Sequence, residues 1–289
     1  MIELGFHTDA FNSAYWNFEQ CLQWAKDHDV HWIECGSIAG VSWIHGLGYQ
    51  PHIALWEDPL KMADKMAGYG VRFSQIDAAF PLSLPEGESL GVTYVLDTMR
   101  WAKLVGCNHI DTTDDRFAPA GLTDDQAMEM MKRSYEKIVN LAERYEMVID
   151  IEPHGYYTTK PEFMERMLNF VDSPYLRMNM DTGNTFIAGQ DPVAFLNRFK
   201  DKVSHVHMKD VSESLAASMR GELTGIAVSA CAIGDGVNVE NIRKCVDILV
   251  DIGYDGVISL EAEGQGGPML EKSLNWARPL IDQANKRMA

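Results

Sequence analysis

Eight ionisable residues of this chain each close a short apolar segment: His7, Glu34, Asp77, Asp111, Glu152, Asp181, His207 and Glu261. Brought to one place, six carboxylates and two imidazoles would repel strongly. Two like charges about 4 Å apart cost about 4 kcal/mol at an effective dielectric of 20. A divalent cation removes that repulsion, so the set reads as the donor inventory of a metal-dependent enzyme. The competing reading is a network of buried ion pairs. It is disfavoured because too few Lys or Arg fall at these segment ends to neutralise six acids.

The spacing says what must position them. The gaps between the eight residues are 27, 43, 34, 41, 29, 26 and 54, and each has room for one helix. That is the rhythm of an α/β fold, a single (β/α)8 TIM barrel, with its chemistry at the carboxyl ends of the strands. Four segments show the two-residue period of a strand. Asp150 and Glu152 oppose Ile149 and Ile151, Asn179 and Asp181 oppose Met178 and Met180, His205 and His207 oppose Val206 and Met208, and Ser259 and Glu261 oppose Ile258 and Leu260. Surface antiparallel strands alternate too. The helices between the segments decide for parallel strands, which need such crossovers.

Helical spacing predicts helices over Asn17–Asp29, Asp58–Tyr69, Glu88–Val105, Thr123–Tyr145, Asn238–Ile252 and Gly267–Met288. Thr123-Asp-Asp-Gln126 is close to an N-terminal capping box, and Pro161 and Pro192 suit first-turn positions. Nothing resembles a linker, so residues 1–289 are expected to form one domain. Two connections are extended, after strands 2 and 7. Gly36–Glu57 carries Trp43, His45, His52 and Trp56. Lys209–Val237 carries Arg220, Glu222 and Gly234-Asp-Gly236. Such loops serve as lids or binding walls. The first would serve equally as a contact in a homo-oligomer.

Composition narrows the function classes. Hydrophobic residues make up 46% of the 289 residues, ample for a core, yet no run approaches the roughly 18 apolar residues of a membrane span. The N-terminus, MIELGFHTDA, lacks a secretory pattern, and the five cysteines are scattered. Both point to a reducing, cytoplasmic setting. A net charge of −17 argues against nucleic-acid partners, which demand clustered Lys and Arg.

The ordered set Ile151-Glu-Pro-His154, Met180-Asp-Thr-Gly-Asn184, His205-Val-His-Met-Lys-Asp210 and Ser259-Leu-Glu261 resembles the xylose-isomerase-like barrel superfamily. That superfamily includes sugar epimerases, hydroxypyruvate and inosose isomerases, inosose dehydratases and endonuclease IV. The resemblance covers nearly the whole chain. It implies one divalent metal held by Glu152, Asp181, His207 and Glu261. Three carboxylates and one imidazole suit Mn²⁺ first, with Mg²⁺, Co²⁺ or Zn²⁺ as alternatives.

The resemblance also implies the chemistry. Glu152 and Glu261 would exchange protons with a keto-sugar, keto-polyol or 3-keto-glycoside through a metal-stabilised enediolate, as an isomerase or epimerase does. The alternative is a lyase or dehydratase using the same enediolate. His7, Glu34, His154, Asn184 and Lys209 are expected to touch the small carbohydrate substrate. Each has a duller reading: barrel lining for His7 and Glu34, loop packing for His154, an ion pair for Lys209. His205, Asp77 and Asp111 are expected to be interior residues rather than ligands.

Two departures weigh against a free-ketose 3-epimerase. Asn184 stands where those enzymes carry a histidine, and Glu213 where they carry an arginine. The 54-residue gap from His207 to Glu261 is closer to the inosose dehydratase and keto-glycoside branches. Nine histidines and a net charge of −17 do not suit the trinuclear zinc site and DNA surface of endonuclease IV.

Overall fold

Eight parallel strands form in the segments that the alternation marks: β1 (Glu3–His7), β2 (Trp32–Ile38), β3 (Arg72–Pro81), β4 (His109–Thr113), β5 (Val148–Ile151), β6 (Leu176–Asp181), β7 (Val203–Met208) and β8 (Val257–Leu260). Each pairs with the next, and β1 pairs with both β2 and β8, so the sheet closes into a barrel. The computed structural model describes residues 1–12, 16–39, 51–221, 224–264 and 266–289. Trp43, His45 and Glu222 lie outside the described residues.

The alternating apolar side chains (Ile33, Ile149, Ile151, Met178, Met180, Val206, Met208, Ile258 and Leu260) are buried in one core with the helices around the sheet. Those helices are α1 (Phe18–Asp27), α2 (Pro59–Tyr69), α3 (Leu90–Val105), α4 (Asp124–Tyr145), α5 (Pro161–Leu168), α6 (Thr182–Ile187), α7 (Pro192–Phe199), α8 (Glu213–Met219), α9 (Val239–Asp251) and α10 (Gly267–Met288). The capping box at Thr123 and Gln126 forms in full, and Pro161 and Pro192 stand in first turns. Helix α6 and helix α8 were not foreseen. Six residues held by the Asp181 cap are too short to display a period, and α8 buries no residue that would mark a face.

Two one-residue register shifts, besides a longer one after Asp77, set which residues face the barrel axis. Between β2 and β3, Ile33 pairs with Phe73 but Glu34 pairs with Gln75, leaving Ser74 as the extra residue. Between β6 and β7, Met178 pairs with Val203 but Asn179 pairs with His205, leaving Ser204 extra. A bulge of this kind re-aims the side chains that follow it. It brings Glu34 level with Gln75, and Asp181 level with His207.

The expectation that all eight polar residues end their strands needs correction. Glu34, Asp77 and Asp111 lie inside β2, β3 and β4, because buried residues such as Cys35, Ala78 and Thr112 carry the strands onward. The loop after β2 is partly structured: Ile53–Ala54 pairs with Ser37–Ile38, and buried His52 accepts the Gly36 N–H at 3.0 Å. In the same loop Trp56 is 70% exposed. After β7, the chain wraps the Asp210 carboxylate. Oδ1 accepts from the N–H groups of Val211 (2.8 Å) and Asn238 (3.0 Å), and Oδ2 from those of Gly234 (2.9 Å) and Gly236 (2.8 Å). A Cβ at position 236 would collide with this carboxylate, so the close approach needs glycine. Among the described residues no helix is long and apolar enough to cross a membrane.

Candidate metal centre

Four consecutive strands deliver one donor each to a single point. Glu152 follows β5, Asp181 ends β6, His207 sits near the end of β7 and Glu261 follows β8. All four are buried, and a ligand atom from each lies within 4.8 Å of the others. His207 Nδ1 is 2.9 Å from Glu152 Oε1, 3.1 Å from Glu261 Oε2 and 4.0 Å from Asp181 Oδ2.

The surroundings hold these donors in place without consuming them. Asp181 caps α6, its Oδ1 accepting from the N–H groups of Gly183 (2.6 Å) and Asn184 (2.8 Å). Its Oδ2 makes no hydrogen bond among the described residues, and the Oε2 of Glu261 faces only the His207 ring there, at 3.1 Å. Buried carboxylate oxygens left so are costly. An electropositive ion at this point would satisfy them. With three carboxylates and one imidazole, the donors fit a hard divalent cation.

The charges agree. Burial, and then the nearby Glu261 carboxylate, push the Asp181 carboxyl well above its usual range. Burial acts the same way on Glu261, yet Lys209 and His207 hold it well below. Burial disfavours the His207 imidazolium, but Glu34 and Glu261 raise it well above the ordinary histidine value. The carboxylates that favour a charged ring gather at Nδ1, the place a cation would take.

The residues expected to meet substrate fall into two groups. Asn184 is buried and its Nδ2 donates to Glu152 Oε1 at 3.3 Å, while its Oδ1 has no partner among the described residues. Lys209 is 2% exposed, and its Nζ bridges Glu261 Oε1 (3.1 Å) and Glu263 Oε1 (3.0 Å). Gly183 lies against the Lys209 side chain, where a Cβ would collide. These two residues touch the donor cluster directly.

The other three bond mainly to barrel and loop neighbours, although Glu34 reaches the cluster through His207 and its Oε2 makes no hydrogen bond among the described residues. His7 Nε2 is 2.6 Å from Asp77 Oδ2, and its Nδ1 accepts the Asp9 N–H at 3.1 Å. Glu34 is fully buried, its Oε1 2.9 Å from His207 Nε2 and 2.7 Å from Gln75 Nε2. His154 is half-buried; its Nδ1 bonds Thr113 Oγ1 at 3.2 Å, and its carbonyl accepts from Thr224 and Gly225 of the loop after β7. His205 donates to Asn179 Oδ1 at 3.2 Å and burial holds it well below the ordinary histidine value. Asp111 accepts from Asn179 at 3.2 Å.

Sequence reasoning passed over three residues. Glu263 shares Lys209 with Glu261; its signal was the two-residue step from Glu261. Gln75 bonds Glu34, but an uncharged amide mid-strand carries no sequence mark. Asp114 staples the loop after β5, accepting from the N–H groups of Gly155 (3.0 Å) and Tyr157 (2.5 Å) and from the Thr158 hydroxyl (2.6 Å).

The model of the xylose isomerase-like TIM barrel family matches residues 22–280. The chain belongs to that family. Among curated relatives, an inosose dehydratase of Clostridium botulinum is 27% identical over 163 residues, which is 53% of this chain and 52% of the relative. The chain thus spans about half the length of the curated relatives it matches. Among solved structures, a D-tagatose 3-epimerase-like protein superposes with a TM-score of 0.76 at 19% identity, covering 99% of this chain and all of the other. The IolI protein with a bound zinc atom superposes with a TM-score of 0.72 at 13% identity, covering 98% of this chain and 99% of the other. At these identities the structural likeness establishes the family fold alone. The sequence relatives are thus inosose dehydratases, while barrels of the same shape include an L-ribulose 3-epimerase and the zinc-bound IolI protein.

Proposed function

We propose that this protein is a divalent-metal-dependent carbohydrate enzyme that removes a proton from the carbon beside a carbonyl, with Glu152 and Glu261 as its acid–base pair. One observation carries the reading: four buried donors from consecutive strands converge, and Asp181 Oδ2 and Glu261 Oε2 face the shared point with no hydrogen bond among the described residues. Glu152, Asp181, His207 and Glu261 would hold the ion, Mn²⁺ in the first instance and Mg²⁺, Co²⁺ or Zn²⁺ otherwise. Bound there, the ion supplies Lewis-acid polarisation of the substrate carbonyl, which acidifies the adjoining C–H.

The chain's own groups do the rest. Lys209 keeps Glu261 ionised, so Glu261 enters as the proton acceptor. Glu152 faces the same space and returns a proton. An ammonium has three N–H donors, and Lys209 spends two on Glu261 and Glu263. The third serves a substrate oxygen, and the unpartnered Asn184 Oδ1 accepts a hydroxyl. Residues 1–289 act as one catalytic domain.

Return of the proton to the same or the neighbouring carbon makes the reaction an epimerisation or isomerisation of a keto-sugar, keto-polyol or 3-keto-glycoside. A second fate is favoured by one finding, the inosose dehydratases among the sequence relatives. There the C–O bond of a β-hydroxyl breaks and water leaves with the second proton.

The test is exchange from solvent. Metal-loaded enzyme in D₂O is given keto-sugars, inososes and 3-keto-glucosides, each followed by NMR. Deuterium beside the carbonyl with the carbon skeleton and its oxygens retained is the expected result, and Glu152→Gln stops it. Loss of water establishes the dehydratase instead. No exchange with any substrate, or more than a tenth of the activity kept by Glu152→Gln, overturns the reading.

A further inference from the structure

The ring of His207 has two nitrogens in different company, and Glu34 stands on the far side from the other donors. Nδ1 faces Glu152, Glu261 and Asp181 at 2.9–4.0 Å. Nε2 is 2.9 Å from Glu34 Oε1 and 3.1 Å from Asn179 Nδ2. A carboxylate can only accept, so the hydrogen between Nε2 and Glu34 belongs to the ring. The Asn179 amide group has two hydrogens, one donated to Asp111 Oδ1 3.2 Å away, and it lies within 3.4 Å of both ring nitrogens, so it does not choose between them. On the other side Nδ1 meets three carboxylates, so a cation gathered by them would take the place of the Nδ1 hydrogen and leave Nε2–H on Glu34.

Glu34 itself is built to stay. It is 0% exposed on β2, and the bulge at Ser74 sets Gln75 level with it, whose Nε2 donates to the same Oε1 at 2.7 Å. The bulge at Ser204 does the corresponding work for His207. A rival donor set also exists, since Glu34, His205 and His207 could gather around Nε2. It offers one carboxylate against three, and its use of Nε2 would break the bond to Glu34.

We infer that Glu34 is the positioning residue of the metal centre: it accepts the Nε2–H of His207, fixes the ring's tautomer and angle, and leaves Nδ1 as the coordinating nitrogen. This rests on the metal reading proposed above and assigns Glu34 a role behind the ligand shell rather than against the substrate. Outer carboxylates on a ligating imidazole typically change metal affinity 10–100-fold when removed.

The experiment uses the full-length protein, stripped and then titrated with Mn²⁺, with free ion read by electron paramagnetic resonance. Glu34→Ala is expected to weaken Mn²⁺ binding by about 10–100-fold and the isosteric Glu34→Gln by less. Thermal melts of the metal-free variants report whether the barrel itself has suffered. In parallel, ¹⁵N-labelled-histidine NMR of the wild-type Zn²⁺ form reads the ring directly: Nε2 protonated and Nδ1 metal-bound is expected. Mn²⁺ affinity within two-fold of wild type in both variants, or Zn²⁺ on Nε2, overturns the assignment while leaving the metal reading intact. A wild-type protein that binds neither ion overturns both.

Discussion

The two halves of the barrel present the same kinds of residue and use them differently. On β1–β4, His7, Glu34, Asp77 and Asp111 are turned toward one another or toward neighbours: His7 to Asp77, Glu34 to Gln75 and His207, Asp111 to Asn179. On β5–β8, Glu152, Asp181, His207 and Glu261 are braced from behind by Asn184, the α6 backbone, Glu34 and Lys209, and their remaining atoms point to a shared centre. Both halves leave carboxylate oxygens without a hydrogen bond, Glu34 Oε2 and Asp77 Oδ1 as well as Asp181 Oδ2 and Glu261 Oε2, so the difference lies in convergence: on β5–β8 four donors gather around one point. Elsewhere the same residue types are the support.

Losing a donor on the β5–β8 side should cost the most. His207→Ala is expected to weaken Mn²⁺ binding by more than about 100-fold, beyond the range of an outer partner. His205→Ala and Asp77→Asn should each weaken it by less than about 10-fold, with the Glu34 variants between. Metal titration of the stripped proteins checks the order. Equal losses at His207 and His205 would erase the distinction between ligand and support.

A second variant asks whether every carboxylate on the β5–β8 side serves the centre. Asp210, three residues beyond His207, spends both oxygens on four backbone N–H groups of its own loop. Asp210→Ala leaves those buried donors without an acceptor, so a loss of about 3 kcal/mol of stability is expected. Mn²⁺ affinity should stay within a few-fold of wild type. A urea unfolding series together with the metal titration separates the two, and a large loss of affinity at full stability would place Asp210 in the site.

The smallest effect belongs to the other end of the strands. Burial lowers the pKa of His109, but the Asp150 carboxylate at 2.8 Å raises it further, and the net value lies above the ordinary 6.5. A raised histidine stabilises the fold fully below its unfolded pKa, and that stability fades as pH rises through the folded value. His109→Gln should therefore be less stable than wild type by on the order of 1 kcal/mol at about pH 6, with the gap narrowing by about pH 9. A gap that widens with pH would reverse the assignment.

Much of this was legible before any coordinates. Glu152 beside Ile151 and His207 beside Val206 declared two faces of a strand, and the capping box at Thr123 declared a helix start. What was not legible was depth. Glu34 and Asp77 read as strand ends because an acid interrupts the apolar pattern, yet both strands continue past them. Lys209 read first as a substrate contact, with an ion pair to a barrel acid as the second reading. Its bridge between Glu261 and Glu263 depends on two strands lying side by side.

The sequence by itself determined the barrel, since the two-residue period and helix-length gaps are properties of the local chain. It also determined which residue types could bind a cation. Tertiary structure decided how four of those donors meet at one point and what braces each of them. Two one-residue bulges, at Ser74 and Ser204, set the register that turns Glu34 toward His207 and brings Asp181 level with it. Register is a relation between strands far apart in sequence, and a single-residue slip sends every side chain to the opposite face.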